Sequence, residues 1–456
     1  MKRREALKTM GALAGAAVST RFLPGCASDD KLPPGIDHVV VVMLENRSYD
    51  HFLGARALQG LGGDGLTAAM SNPNTAGTSV PVYEATIGNF CVPDPPHGWG
   101  AAHDSFGSGD NQGFVIAHEA ANGLGQTGVM QYLTRPHVPV TWALADAYTT
   151  CDRYFCSVMG PTWPNRMYWH AASSNGINVN ELPGGGFNWP TIHQRAADAG
   201  VDWRYYYGTI PVLGLVHNLD KVGHVRLMED FFRDCMSGQL APINHVDPSF
   251  FANDDHPPLH PAYAQQFISA VYTALANSPV WERCMLVVTY DENGGFFDHV
   301  APPKTVDDFA STGFDQMGFR VPTIVAGPYV KTGVSSVVMD HCSVLAHIER
   351  RFGLEPLNQR TMAANDLTDA IDLERLAQGK PNPPIELPAI EIDESQLGAD
   401  CAMAMARMNE HPIHQLADQH PHLFVGYDNR ARVRDELYLI GDFLEQHNAG
   451  RIRRGR

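Results

Sequence analysis

Residues 36–44 read Ile-Asp-His-Val-Val-Val-Val-Met-Leu, an apolar run too continuous for a strand with one wet face. Such runs belong to strands buried on both faces, the condition met in sheets covered by helices on either side. Two more follow, CMLVVTY at 284–290 and VPTIVA at 321–326. Helix-like stretches lie between them at 142–148, 262–277 and 343–352. Strands separated by helical patterns predict an α/β fold with a mainly parallel central sheet. Residues 55–135 and 175–260, rich in Gly, Pro, Asn and Asp, read as long loops and insertions. Residues 400–409 and 429–447 read as helices of a C-terminal extension.

In open α/β sheets, sites form beyond the carboxyl ends of the strands. Polar clusters sit at that place after two of the runs. Glu45-Asn46-Arg47-Ser48-Tyr49-Asp50-His51 follows the first. Its carboxylate and amide oxygen suit a hard divalent cation, and equally suit a loop capping the next helix. Asp291-Glu292-Asn293-Gly294-Gly295-Phe296-Phe297-Asp298-His299 follows the second. Adjacent carboxylates repel unless a cation or proton offsets them, and the Gly pair permits a sharp turn or a close approach. A metal loop is the reading favoured over a solvated acidic turn. The third cluster, Met159-Gly160-Pro161-Thr162-Trp163-Pro164-Asn165-Arg166, fixes a threonine hydroxyl between two prolines. A metal can make such a hydroxyl nucleophilic, with Asn165 and Arg166 as donors to phosphoryl oxygens. Taken alone, the same residues read more readily as a helix start with Thr162 as a cap. Among 21 histidines, four have added context: His97 before Gly98-Trp99, His256 before two prolines, and His299 and His341 each after an Asp.

The N-terminus reads as an export signal over residues 1–26. Lys2, Arg3 and Arg4 precede an apolar run, a twin-arginine-like order, and Leu23-Pro24-Gly25-Cys26 is similar to a lipobox. The expected location is therefore exported: periplasmic, anchored to the cell envelope, or secreted. A lipid anchor at Cys26 or the substrate itself is then the route to a membrane surface. The formal charge is −17, and loss of residues 1–25 removes a net +4, leaving −21. Such a chain repels nucleic-acid backbone, so no nucleic-acid partner is expected, and a phosphate-bearing substrate needs local positive charge. The eight cysteines contain no CxxC pair, which excludes a zinc ribbon or thioredoxin-like site.

In this order the motifs resemble the bacterial phosphoesterase family of phosphatidylcholine-type phospholipases C and related acid phosphatases. The matching stretches are ENRSYDHFLG (45–54), PHGW (96–99), DRYFCSVMGPTWPNR (152–166), VDWRYYY (201–207), DDHPP (254–258), TYDENGGFFDHVAPP (289–303), GFRVPTIVAGPYV (318–330) and DHCSVLAHIERRF (340–352). The resemblance covers about residues 36–357 and implies an alkaline-phosphatase-like three-layer α/β/α sandwich. The catalytic domain is read over residues 33–395, with 396–456 as a helical extension packed on the core. The resemblance implies one divalent cation held by Glu45, Asn46, Asp291, Glu292 and the Thr162 hydroxyl. Oxygen ligation favours a calcium- or magnesium-like ion and leaves iron, manganese and zinc open. Thr162 is then the nucleophile, with His97, His256, Asn165 and His299 as the remaining catalytic candidates. The Asp291-Glu292 pair is similar to the phospholipase members, where the acid phosphatases carry Asp-Asp. Asn293 stands where a His is common and Cys342 where a Thr is common, which puts the substrate preference in question. The expected activity is phospholipase C cleavage of a phosphatidylcholine-type lipid. An exported phosphomonoesterase acting on a small phosphoester and a non-enzymatic calcium-binding protein are the alternatives.

Overall fold

The computed structural model describes residues 35–86, 91–181, 186–250, 252–392, 401, 429–447, 449 and 452–454. The expected export signal, Cys26 and most of the 400–409 helix lie outside the described residues. No described helix is long and apolar enough to cross a membrane.

The central sheet has eight strands. They are β1 (His38–Leu44), β2 (Thr149–Cys151), β3 (Trp203–Tyr207), β4 (Val225–Leu227), β5 (Ile243–Asp247), β6 (Cys284–Tyr290), β7 (Ile324–Ala326) and β8 (Gly333–Ser335). Their spatial order is β8-β2-β7-β6-β1-β5-β3-β4. All neighbours are parallel except β7, which runs antiparallel to both β6 and β2. The apolar runs of β1 and β6 form the middle of the sheet, and every residue of both is buried.

Seven helices matter here: α1 (Pro139–Ala147), α2 (Thr162–Ala171), α3 (Ile192–Asp198), α4 (Met228–Ser237), α5 (Ala262–Ala276), α6 (His341–Phe352) and α7 (Asn429–Gln446). They pack in two groups. α1, α4 and α7 gather on α5, while α3 and α6 gather on α2. Because β1 and β6 are covered on both faces, the groups form the outer layers of an α/β/α sandwich. The C-terminal α7 closes onto the first group, with Phe443 stacked on Phe232 at 4.2 Å. Cys91 and Cys401 form a disulfide, and five further described cysteines are free and buried.

One expectation needs correcting. Residues 175–260 are not chiefly loop: they supply β3, β4 and β5, three strands of the sheet, together with α3 and α4. WRYYY and INHVD are largely buried strands built from aromatic and polar residues, so the aliphatic pattern that exposes β1 is missing.

Candidate active site

Register brings the polar clusters together. Leu44 pairs with Tyr290 at the ends of two parallel strands, so Glu45 and Asp291 emerge side by side. The Asp291 amide donates to the Leu44 carbonyl at 3.0 Å, and the Asn46 amide donates to Asp291 Oδ1 at 3.0 Å. Val42 pairs with Val246 on the other flank, which sets Asp247 at the same edge. The Glu45 amide donates to the Asp254 carbonyl at 2.8 Å, seating the 254–258 loop over the strand end.

Helix α2 docks on this edge through Arg166, which is fully buried. Its guanidinium lies 3.1 Å from Glu45 Oε1, 3.4 Å from Asp247 Oδ1 and 3.7 Å from Asp291 Oδ2, with Phe250 4.8 Å away. Thr162 is the first residue of α2, four positions earlier and thus on the same face. It is 9% exposed, the most open of the expected metal-binding residues.

Asn165 is a correction. Its amide donates to the carbonyls of Val158, Gly160 and Pro161 and accepts from the Val158 amide. With both donors committed, it holds the turn that carries Thr162 and has nothing left for a phosphoryl oxygen. His299 also sits in another network, between Asp50 (2.6 Å) and Asp64 (3.1 Å) and beside Arg320. Arg320 pairs with both Asp50 and Asp298, so that cluster carries its own counter-charge.

His97 and His256 do reach the edge, with rings 5.7 Å apart. Each Nδ1 donates to a carbonyl, Pro95 at 2.7 Å and Pro257 at 2.6 Å, which fixes the ring and makes Nε2 the proton-exchanging atom. His97 Nε2 lies 3.2 Å from Asn46 Nδ2 and 3.8 Å from Glu292 Oε1. Burial alone lowers the pKa of His97, but Glu292 and Asp94 outweigh it and lift it to about 9. Burial lifts Glu292 to about 8, against the pull of His97. His256 is held below its ordinary value, first by burial. Asp94, His97 and His256 also offer one donor atom each within 4.8 Å of one another; Asp94 gave no signal in the sequence beyond its place before Pro95.

The edge fits a cation. Glu45 Oε2, Asn46 Oδ1, Asp291 Oδ2 and Glu292 Oε1 are all buried and accept no hydrogen bond. Native proteins rarely leave such atoms without a hydrogen bond, and carboxylate and amide oxygens from two adjacent loops are the donor type that a hard cation takes. Asn46 holds φ at +63°, a conformation uncommon outside glycine, which points its amide into this edge. Asn46 Nδ2 donating to His97 Nε2 requires that nitrogen to be deprotonated, the state a cation beside Glu292 favours.

Gly294 and Gly295 let the two loops close. A Cβ on Gly294 would stand 2.2 Å from the Asn46 carbonyl oxygen, and one on Gly295 would stand 2.8 Å from Pro96 O. Gly294→Ala is therefore expected to lose about 2–4 kcal/mol of stability and most activity, because the obstructing atoms are backbone. Gly100→Ala, where nothing lies within 4 Å, is the control and should leave both unchanged. Chemical denaturation and turnover of the two variants check this.

The profile of the phosphoesterase family matches residues 36–355. Phospholipase C B of Mycobacterium tuberculosis is 32% identical over 425 residues, covering 76% of this chain and 79% of that protein. Non-specific phospholipase C6 of Arabidopsis thaliana is 31% identical over 394 residues, covering 78% and 75%. Among solved structures, a protein in the alkaline phosphatase superfamily from Vibrio parahaemolyticus aligns with a TM-score of 0.38 and 10% identity, covering 85% of this chain and 90% of that one.

Proposed function

The chain belongs to the phosphoesterase family and is a phosphoric ester hydrolase of phospholipase C type; from that premise we propose that it cleaves phosphatidylcholine-type lipids through Thr162 with a bound divalent cation. The observation that carries this reading is the set of four buried oxygens on Glu45, Asn46, Asp291 and Glu292 that accept no hydrogen bond, beside the helix that begins at Thr162. A cation held there, with the Thr162 hydroxyl as a further ligand, supplies a lowered hydroxyl pKa and neutralises charge on the phosphoryl oxygens. A hard ion of the calcium or magnesium kind suits oxygen donors.

The rest is done by the chain. Thr162 Oγ1 attacks phosphorus, its proton passes to His256 Nε2, and the Oγ1–P bond forms as the bond to the diacylglycerol oxygen breaks. His256 returns the proton to that departing oxygen. Water then cleaves the Oγ1–P bond and releases the phosphorylated head group. Asn165 serves as the brace of the threonine turn.

Assay of the mature protein on phosphatidylcholine and on p-nitrophenyl phosphate, each with and without chelator, tests the reading. The expected result is diacylglycerol release that chelator abolishes and added cation restores. Hydrolysis of the monoester alone would assign a phosphomonoesterase, and metal retention without hydrolysis of either would assign a binding protein.

Cation binding should also release protons. Without a cation both His97 and Glu292 hold protons at neutral pH, since both groups are raised, to about 9 and about 8. Calorimetry at pH 7 in two buffers of different ionisation enthalpy should report about one to two protons released per ion bound. The release should vanish as pH rises past that range, with affinity rising alongside. Binding with no buffer dependence at pH 7 contradicts the pair as part of the site.

We also propose export, on the order of charged, apolar and lipobox-like segments in residues 2–26. Intact mass of protein recovered from the cell envelope tests it; a chain still carrying residues 1–25 overturns it.

A further inference from the structure

Helix α2 carries a second constellation that this chemistry does not use. His170 lies one turn beyond Arg166. There it meets His193, the second residue of α3, and His245, the middle residue of β5. Ring centroids are 5.4 Å apart for His170–His193, 5.3 Å for His170–His245 and 4.6 Å for His193–His245. The three residues are only 4%, 0% and 1% exposed. One nitrogen from each lies within 4.8 Å of the other two. His193 Nε2 and His245 Nδ1 are 3.2 Å apart, while both nitrogens of His170, Nδ1 of His193 and Nε2 of His245 have no hydrogen-bond partner.

Packing alone does not explain this set. Three imidazoles walled by Trp169, Trp203 and Tyr205 put polar nitrogens where apolar rings would pack without the cost of unmet hydrogen bonds. The 3.2 Å between His193 and His245 is close to the edge of a tetrahedron with metal–nitrogen bonds of about 2.0–2.1 Å, which is about 3.3–3.4 Å. Burial holds His170 and His193 well below their ordinary pKa and His245 at about 3, so the lone pairs carry no competing proton.

We propose that His170, His193 and His245 form a second, buried metal site for a borderline divalent ion of the zinc class. Neutral imidazoles suit such ions and not calcium or magnesium, so this site and the oxygen-lined edge select different metals. A small cavity of about 10 Å³ that His170 borders with Met167, Trp189 and Thr191 is about the size of one water, a candidate fourth ligand. Bound metal would pin the far end of α2 to the sheet and to α3.

The test is zinc X-ray absorption on the wild type and on Asp291→Asn, the second to disable the oxygen-lined edge, with His193→Gln and His245→Gln beside them. The expected spectrum, in both wild type and Asp291→Asn, shows nitrogen neighbours at about 2.0–2.1 Å with scattering from three imidazoles. Each His→Gln change should weaken zinc affinity about 100-fold or more, read by competition with a chromophoric chelator. A zinc shell of oxygen alone in the wild type overturns the proposal, and needs no variant to fold. So does scattering from three imidazoles that is unchanged in both His→Gln variants, or that disappears with Asp291→Asn, since either result places the imidazoles outside this cluster.

Discussion

Thr162→Ala is expected to lower kcat/KM on phosphatidylcholine by about 10⁴-fold or more while leaving the fold intact. Losing the atom that forms the bond to phosphorus removes the whole covalent route, and effects of that size are usual for a nucleophile. The structural cost should stay within about 1 kcal/mol. Thr162 is the first residue of α2, whose start is braced by Asn165 and docked through Arg166, neither of which needs the hydroxyl. Thr162→Ser keeps the hydroxyl and should retain activity within about 100-fold, whereas a merely structural threonine would tolerate both changes alike. Rapid quench with labelled lipid, followed by peptide mapping, should find the head-group phosphate on the 161–166 stretch. Alanine variant turnover within tenfold of the wild type would falsify the assignment.

How much of this could be read before folding depended on sequence distance and on pattern. β1 and β6 announce themselves because both faces are buried in aliphatic side chains. Their polar sequels, Glu45-Asn46 and Asp291-Glu292, follow at the strand ends where parallel register must bring them together. β3 and β5 were hidden inside a segment that reads as loop, since their sequences mix buried aromatic and polar residues such as Tyr205, His245 and Asp247 in place of an aliphatic run. The reversed direction of β7 has no local signature at all, because VPTIVA packs equally well either way. Asn165 has the right chemistry for a phosphoryl contact, but which way an amide points is decided by four backbone partners on the turn before it. The three histidines of the second cluster come from two helices and a strand, and nothing in the spacing of 170, 193 and 245 links them.

Arg166→Met is expected to cost about 3–5 kcal/mol of stability at neutral pH, with a loss of turnover well beyond what the remaining folded fraction explains. The methionine fills the volume of the guanidinium stem but leaves Glu45, Asp247 and Asp291 buried without their shared cation. Breaking a buried pair from one side strands a charge in low dielectric, which costs more than the pair itself contributes. The pH dependence identifies the cause. Burial already raises the pKa of Glu45, Asp247 and Asp291, and Arg166 is the largest influence opposing that rise. Without it their folded pKa values climb further. A carboxyl raised in the fold stabilises it while protonated and loses that contribution as pH rises from the ordinary carboxylate range through the raised value. The deficit of Arg166→Met should therefore be small near pH 5 and grow towards pH 8. Arg166→Lys should recover part of the stability, since a point charge can neutralise one carboxylate but cannot span three with a planar fork. Denaturant titrations in chelator at the two pH values measure this. A deficit below about 1 kcal/mol that does not change with pH would mean the three carboxylates do not depend on Arg166, and that α2 is held to the strand ends by packing alone.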